Sequence, residues 1–530
     1  MTKINIENTA VESREQRLGT IVSWYGKASE LSEISQYSKG GGCGGGKGRR
    51  CTICEASGPF SQASGCTDAM AECQAGNIRD AVLIKHAPLG CSSFQVALNT
   101  IYRYGLAMRG HKIENVTVTS TNLREDDMVF GGIDKLRLTV EDVWDRYHPK
   151  AIFIGAACAT AIIGDDIDSV AIEYGEKLGI PVIPMHCEGF RSKHWSTGFD
   201  ASQHGILRSI VRKNPEKKQE DLVNVISLWG SDVFTPMLKN LNLRVNYVVD
   251  MASVEDLAQT SEAAATVAFC NTLGTYLSEG LEQHYGVPQV RATQPYGIKG
   301  TDEWIRALAK LTHREELAEE YIAREHARIE PIIDGLRKQL AGLSGFVATG
   351  SAYAHGMMCV LRELGITLKG SQVFHHDPIY DSEDPAQDTL AFLVDNYGDI
   401  EDFTVSVRQP YQFYTTLKKV KPDFITIRHN GLAPVASRLG IPSIPLGDEH
   451  QAIGYQGVIN MGFIILAVMK RQRFHQDLAK HVKSPYSQWW TAQTDANILS
   501  KHPELIWDDV SDAGVSAVKR APQPISEGTG

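Results

Sequence analysis

Ala81-Val-Leu-Ile-Lys85 runs into His86-Ala-Pro-Leu-Gly-Cys91, and Ala151-Ile-Phe-Ile-Gly155 runs into Ala156-Ala-Cys158-Ala-Thr-Ala-Ile-Ile-Gly-Asp-Asp166-Ile167. Each stretch is a short apolar, β-branched run that ends at small residues and a cysteine. This is the pattern of a buried parallel strand whose carboxyl end carries a functional side chain. Similar runs recur along the chain. Residues 115–119 and 181–184 complete a first set; 223–228, 245–249 and 265–270 form a second; 345–350, 423–427 and 442–445 form a third. Helical patterns separate them, and residues 301–343 read as a long, charged helical connection. The expected fold is therefore α/β, with three Rossmann-like parallel-sheet domains at 81–220, 221–343 and 344–480. An irregular N-terminal arm (1–80) and a C-terminal tail (481–530) flank them. Ligands of such sheets collect beyond the carboxyl ends of the strands, where Cys158, Cys187 and Cys270 fall.

Bulk properties narrow the function. A chain of 530 residues with 42% hydrophobic content has enough material for several packed cores, and its net charge of −10 provides no overall basic field for nucleic acid. The start Met-Thr-Lys-Ile-Asn-Ile lacks the apolar run of a secretory signal, and no segment has the length of a membrane span. A cytoplasmic location is expected, without nucleic-acid or membrane partners. Ten cysteines in that compartment stay reduced, so metal ligation and simple burial compete for them.

Cys66, Cys91 and Cys158 lie in separate segments and read as half of an iron-sulfur ligand set, because soft thiolates drawn from distant loops can clamp an iron core. A lone cysteine after a strand is more often buried and inert, so surroundings must decide. Other motifs are weaker. Gly40 to Gly48, interrupted by Cys43 and Lys47, cannot build a core, and Cys51-Thr-Ile-Cys54 is one Cys-x-x-Cys pair without a second. Lys47-Gly-Arg-Arg50 lacks the spacing of a Walker loop, which puts ATP on a partner. His375-His376-Asp377-Pro378 can bind metal, but a polar loop is the simpler reading.

Several segments share one order: His86 to Cys91, Glu125-Asp-Asp-Met-Val-Phe-Gly-Gly132, Cys158 to Ile167, Cys187-Glu-Gly-Phe-Arg191, the apolar run into Cys270, and Gly454-Tyr-Gln-Gly457. With these, the chain resembles the nitrogenase α-subunit family over most of its length. The resemblance implies that Cys66, Cys91 and Cys158 bind a P-cluster-like iron-sulfur cluster shared with a homologous β-like (K-type) subunit in an α2β2 heterotetramer. Cys73 lies close enough to compete with Cys66. It also implies that Cys270 anchors a large active-site cluster, with a histidine at the opposite end. His450 is the local imidazole, although the stretch before it is shorter than in nitrogenase and ungapped reading places Gly447 at the histidine position. Electrons would arrive from a homodimeric iron protein carrying ATP and a [4Fe-4S] cluster.

Departures from the family are as informative. Trp195 and Phe199 stand where nitrogenase has a glutamine and a histidine beside the cofactor, and Ser351-Ala-Tyr-Ala-His355-Gly356 replaces an arginine-rich loop. Fewer donors and more aromatic wall imply a cluster without homocitrate and a less polar substrate, which disfavours dinitrogen. The resemblance then extends to nitrogenase-like reductases of the methylthio-alkane type, which cleave C–S bonds of small thioethers such as dimethyl sulfide or 2-(methylthio)ethanol. There Cys270, His450, Trp195, Phe199 and His355 would form the catalytic site, with His194 or His355 relaying protons. Two alternatives share the motifs: a cofactor-assembly scaffold holding a precursor cluster, and a tetrapyrrole reductase that would not need Cys270 as a ligand. Heterometal content and the preferred thioether are not legible, nor are the roles of Cys43, Cys51, Cys54 and Cys73.

Overall fold

A computed structural model describes residues 3–37, 66–93, 95–192, 194–228, 230–406, 410–428, 432–448, 450–483 and 487–493. The glycine-rich stretch, Cys43, the Cys51/Cys54 pair, the Lys47 to Arg50 patch and the chain beyond 493 lie outside them. Among the described residues thirteen strands form three sheets. The first contains β2 (Ala81–His86), β3 (Val118–Ser120), β4 (Ala151–Ala156) and β5 (Val182–His186), all parallel, in the order β3-β2-β4-β5. The second is β6 (Gln219–Ser227), β7 (Arg244–Val249) and β8 (Ala263–Ala268), parallel, in the order β7-β6-β8. The third orders β1 (Ser23–Gly26), β11 (Phe403–Ser406), β10 (Thr367–Val373), β9 (Ser344–Thr349), β12 (Phe424–Ile427) and β13 (Ser443–Pro445). The fold is thus α/β with parallel sheets, as the alternating pattern requires. Both β2 and β4 are buried at every position, which is why each reads as a continuous apolar run rather than an alternating one.

Within residues 3–37 of the arm, Arg14–Leu18 and Ala28–Tyr37 are helical and Ser23–Gly26 is a strand. β1 adds antiparallel to β11 and closes the edge of the third sheet. Just before it, the helix Arg14–Leu18 starts at a capping box between Ser13 and Gln16 and buries both of its arginines. Arg14 lies 2.8 Å from Asp200, while Arg17 lies 3.0 Å from Asp200 and 3.0 Å from Glu279. The arm is therefore anchored through charge in the core. The long connection consists of the helices Gly297–Thr312 and Glu315–Leu340. No helix among the described residues is long and apolar enough to cross a membrane.

One helix contact fixes the first sheet's surroundings. The helix Thr197–Ser209 presses Gly198 against the helix Thr67–Ala75, where a Cβ would lie 2.0 Å from the Thr67 carbonyl oxygen and 2.7 Å from the Ala71 nitrogen. Only glycine permits this approach.

Candidate functional site

The interface cysteines sit at element ends. Cys66 caps the helix Thr67–Ala75, its sulfur accepting from the Ala69 amide at 3.4 Å; Cys91 lies in the 3₁₀ turn Leu89–Ser92 after β2; Cys158 opens the helix Cys158–Ile163 after β4. Gly189, in the loop after β5, brings two of them together. Its amide donates to Cys158 Sγ at 3.2 Å, and a Cβ there would lie 3.3 Å from that sulfur and 3.3 Å from Cys66 Cβ. Burial, then the charge of Asp68, pushes the Cys91 thiol up. Cys66 and Cys91 are exposed. Among the described residues no three His, Cys, Asp or Glu side chains converge on a single ion. A spread of thiols around a glycine cradle fits half of a polynuclear cluster better than a mononuclear site. Cys73 is half-buried and its thiol is pushed far up by burial, which disfavours the thiolate a ligand must become.

The motifs around these cysteines meet at Asp165. Its carboxylate accepts from the Gly132 amide at 3.1 Å and from His86 Nε2 at 2.9 Å, while Thr121 Oγ1 lies 3.2 Å from His86 Nδ1. One side chain therefore locks the Cys91, Gly131-Gly132 and Cys158 loops together. Around them stands an apolar rim: Leu89 is 64% exposed, Phe130 86%, Ile162 75% and Phe190 63%. Single exposed hydrophobic residues are ordinary, but a group beside exposed thiols marks an interaction face.

Beneath this face lies a buried charge cluster that was not anticipated from the sequence. Lys85, on β2, pairs with Asp68 and lies 3.5 Å from Glu72, and Cys187 donates to Asp68 at 3.5 Å. Burial raises the Glu72 carboxyl to about 7, Lys85 offsetting only part of this. Between the ordinary glutamate value and pH 7 the folded protein keeps a proton that the unfolded chain has released. Stability therefore falls as pH rises through that window and levels off above it. The shift corresponds to about 3 kcal/mol. In Glu72→Gln we expect the difference in melting temperature between pH 5 and pH 8 to shrink, as measured by calorimetry; an unchanged difference would remove Glu72 as its source.

Cys270 and His450 follow strands of the second and third sheets, after β8 and β13. Cys270 follows β8 and caps the helix Asn271–Tyr285, and it is buried. The ring of its neighbour Phe269 meets the His450 ring edge-on at 5.4 Å, and Phe234 does the same at 5.3 Å. His450 is fully buried. Its Nδ1 lies 2.5 Å from the Ser231 carbonyl oxygen, which can only accept, so Nδ1 carries the hydrogen. That leaves Nε2 as a lone pair, and this atom is buried without a partner. Burial, then the charge of Arg109, lowers the His450 pKa to about 4 and keeps the ring neutral. Arg109 stacks on Tyr247 at 4.0 Å and donates to the Gly230 and Leu228 carbonyls, pinning the loop that orients His450. A neutral imidazole with one nitrogen fixed by a carbonyl and the other bare is the form a metal ligand takes. His450 also borders a cleft of 440 Å³ lined by Asp232, Tyr321, Arg324 and Tyr455.

Trp195 and Phe199 pack edge-on at 5.7 Å in the hydrophobic core that also contains Cys270. His355 is buried, with Nδ1 2.9 Å from Thr389 Oγ1 and Nε2 unpartnered; burial holds it well below its ordinary pKa. Burial likewise lowers His194, whose ring lies tilted by 30° against Trp195 at 5.1 Å.

A parallel α/β body with cysteines at three element ends and a buried histidine with a bare ring nitrogen sets the frame for comparison. Residues 66–470 match the family model described as nitrogenase component 1 type oxidoreductase, and the chain belongs to that family. It is 30% identical over 313 residues to the nitrogenase molybdenum-iron protein alpha chain of Methanosarcina barkeri, covering 57% of this chain and 58% of that one. The chain thus matches somewhat over half the length of that relative. With the nitrogenase iron-molybdenum cofactor biosynthesis protein NifE of Clostridium pasteurianum it shares 27% identity over 452 residues, 82% of this chain and 93% of that one. The solved structure "Nitrogenase Cp1 at pH 6.5" superposes with a TM-score of 0.65 at 22% identity over 81% of this chain and 92% of that chain, a likeness of fold.

Proposed function

We propose that this chain is the catalytic α-like subunit of a nitrogenase-like reductase that cleaves the C–S bond of small thioethers, a methylthio-alkane reductase. Dimethyl sulfide would take up two electrons and two protons to give methane and methanethiol. Cys66, Cys91 and Cys158 would hold half of a P-cluster-like centre, and a β-like subunit docked on the apolar rim of Leu89, Phe130, Ile162 and Phe190 would supply the rest in an α2β2 assembly. Cys270 and His450 would hold a large nitrogenase-cofactor-like or precursor-like iron-sulfur cluster without homocitrate. When bound, that cluster supplies electrons to the substrate. Electrons would come from a homodimeric iron protein carrying ATP and a [4Fe-4S] cluster.

What the chain's own residues do follows from their chemistry. Trp195 and Phe199 exclude water and favour a thioether over a charged or strongly hydrogen-bonding substrate. His450 stays neutral and aimed because Ser231 and Arg109 hold its ring. His355 keeps a bare Nε2 within the third domain's buried wall. The observation that carries the reading is the aromatic pair at 195 and 199, since an apolar wall there suits a substrate with no charge. To test it, the purified complex is given its iron protein, ATP, a reductant and dimethyl sulfide. Methanethiol and methane in equal amounts are expected.

A second reading rests on the long match to NifE: a scaffold holding a precursor cluster on the same residues. Bound iron at the Cys270 site, with electron delivery active and no methanethiol formed, would favour it.

A further inference from the structure

His450 is fully buried, yet it lines the 440 Å³ cleft, so it stands at the inner end of a passage from solvent. The exposure of the lining follows that depth. Asp232, Arg324 and Gln456 are exposed at the rim, whereas Met237, Ile453 and Tyr455 are buried with His450. Gly454 narrows the inner part: its backbone is left-handed at φ 70°, and a Cβ there would lie 2.8 Å from Met237 Cε. The imidazole also meets Phe269, the residue before Cys270, edge-on at 5.4 Å. One ring thus touches both the cleft and the neighbour of the cysteine.

We propose that this cleft is the port through which a small uncharged molecule reaches the His450 side of the site. That the molecule is a thioether rests on the reading above; that the cleft opens onto His450 does not. The lining selects by charge. Three carboxylates, Asp232, Glu325 and Asp448, share it with one guanidinium, Arg324, and this acidic excess repels anions. Cations gain little, because each carboxylate is already engaged. Asp232 accepts from the Tyr247 hydroxyl at 2.7 Å, Asp448 from the Ser231 amide at 3.1 Å and the His450 amide at 2.9 Å, and Glu325 from Arg328 at 2.7 Å. A neutral molecule with an apolar body suits what remains, the side chains of Val233, Pro236, Met237, Tyr321, Ile453 and Tyr455.

The same groups keep the passage in shape. Asp448 ties the loop at Ser231 to the main chain of His450, while Arg324 donates to Asn240 at 2.5 Å and joins the helix Glu315–Leu340 to the turn Lys239–Leu241. Rim and inner end are therefore held by bonds between different segments of the chain.

Diethyl pyrocarbonate, a small uncharged reagent that acylates an unprotonated imidazole nitrogen, reads the port without turnover. His355 is the internal control, since it is also buried and has a bare Nε2 but does not line the cleft. On the full chain produced without its clusters, mass spectrometry should find His450 modified at least about 10-fold faster than His355, a decade in encounter rate. The double variant Gln456→Trp/Asn460→Trp fills the rim from the helix Gly454–Met469 and replaces no residue assigned to the reaction. It should slow modification of His450 by about 10-fold or more and leave His355 as in the wild type. Equal rates for the two histidines in the wild type, or a His450 rate that the filled rim does not change, overturns the port. In the loaded complex the same variant should lower kcat/KM for 2-(methylthio)ethanol by about 10-fold while iron content stays as in the wild type. An unchanged kcat/KM overturns the cleft as the substrate's route. If the wild-type complex releases no methanethiol at all, the thioether reading fails, and the modification rates alone judge the port.

Discussion

Cys270→Ala should abolish substrate reduction, by more than about 100-fold, since losing only an outer partner of a metal ligand already costs 10–100-fold. Its geometry makes this a clean experiment. The cysteine follows β8 and caps a helix without a side-chain capping bond, so the helix does not depend on its sulfur for a cap. The loss of packing is roughly 1 kcal/mol, one small buried group. The variant should therefore fold, assemble and retain the iron held by Cys66, Cys91 and Cys158. What should disappear is the iron assigned to the second site, read by metal analysis and electron paramagnetic resonance of the complex. His450→Ala removes the bare Nε2 as well, but it also takes away the bond to the Ser231 carbonyl and the packing of Phe234 and Phe269, so its stability is measured alongside its iron. A Cys270→Ala complex with full iron content and full activity would defeat the active-site assignment, and would revive the tetrapyrrole-reductase reading, which does without this ligand.

Asp200→Ala should be the most damaging substitution for stability. Asp200 is buried and accepts from both Arg14 and Arg17, so its loss strands two guanidinium groups away from water. Breaking a buried ion pair by deleting one partner costs about 3–5 kcal/mol. Arg17 keeps Glu279 at 3.0 Å, which limits its share, whereas Arg14 keeps the neutral Thr272 carbonyl at 2.6 Å and the more distant Asp377 carboxylate at 3.9 Å. The effect should be local first. Residues 3–37 should become sensitive to limited proteolysis at denaturant concentrations where the wild type resists, before the sheets unfold. Leaving the arm protected and the denaturation midpoint unchanged would show that the network contributes nothing.

Much of the fold was legible because buried parallel strands have a strong local signature. The expected runs at 81–85, 151–155, 223–228 and 245–249 coincide with β2, β4, β6 and β7. The missed strands share a physical cause. β10 is Thr-Leu-Lys-Gly-Ser-Gln-Val, with a lysine, a glycine and three polar residues, and its register shifts between Leu368 and Gly370. β11 has only four residues, and β1 comes from the arm to pair with a strand some 380 positions away. Nothing local announces such a partner. The site divides in the same way. The cysteines and their loops are marked by short motifs, and Asp165 explains why three of those motifs travel together. His450 is recognisable in the sequence only by resemblance, since its quality as a ligand depends on the Ser231 carbonyl, 219 residues away. Lys85, Asp68, Glu72 and the Asp200 network are charges in a core, which no hydrophobic pattern reveals.

The backbone contact at Gly198 gives the molecule a mechanical property. The helix Thr67–Ala75, which Cys66 caps, and the helix that carries Phe199 touch main chain to main chain at Gly198. At that point no rotamer change can absorb a shift of one against the other. The Cys66 thiol and the Trp195–Phe199 pair are therefore coupled through a rigid contact: moving the first helix means moving the second or opening a gap at Gly198.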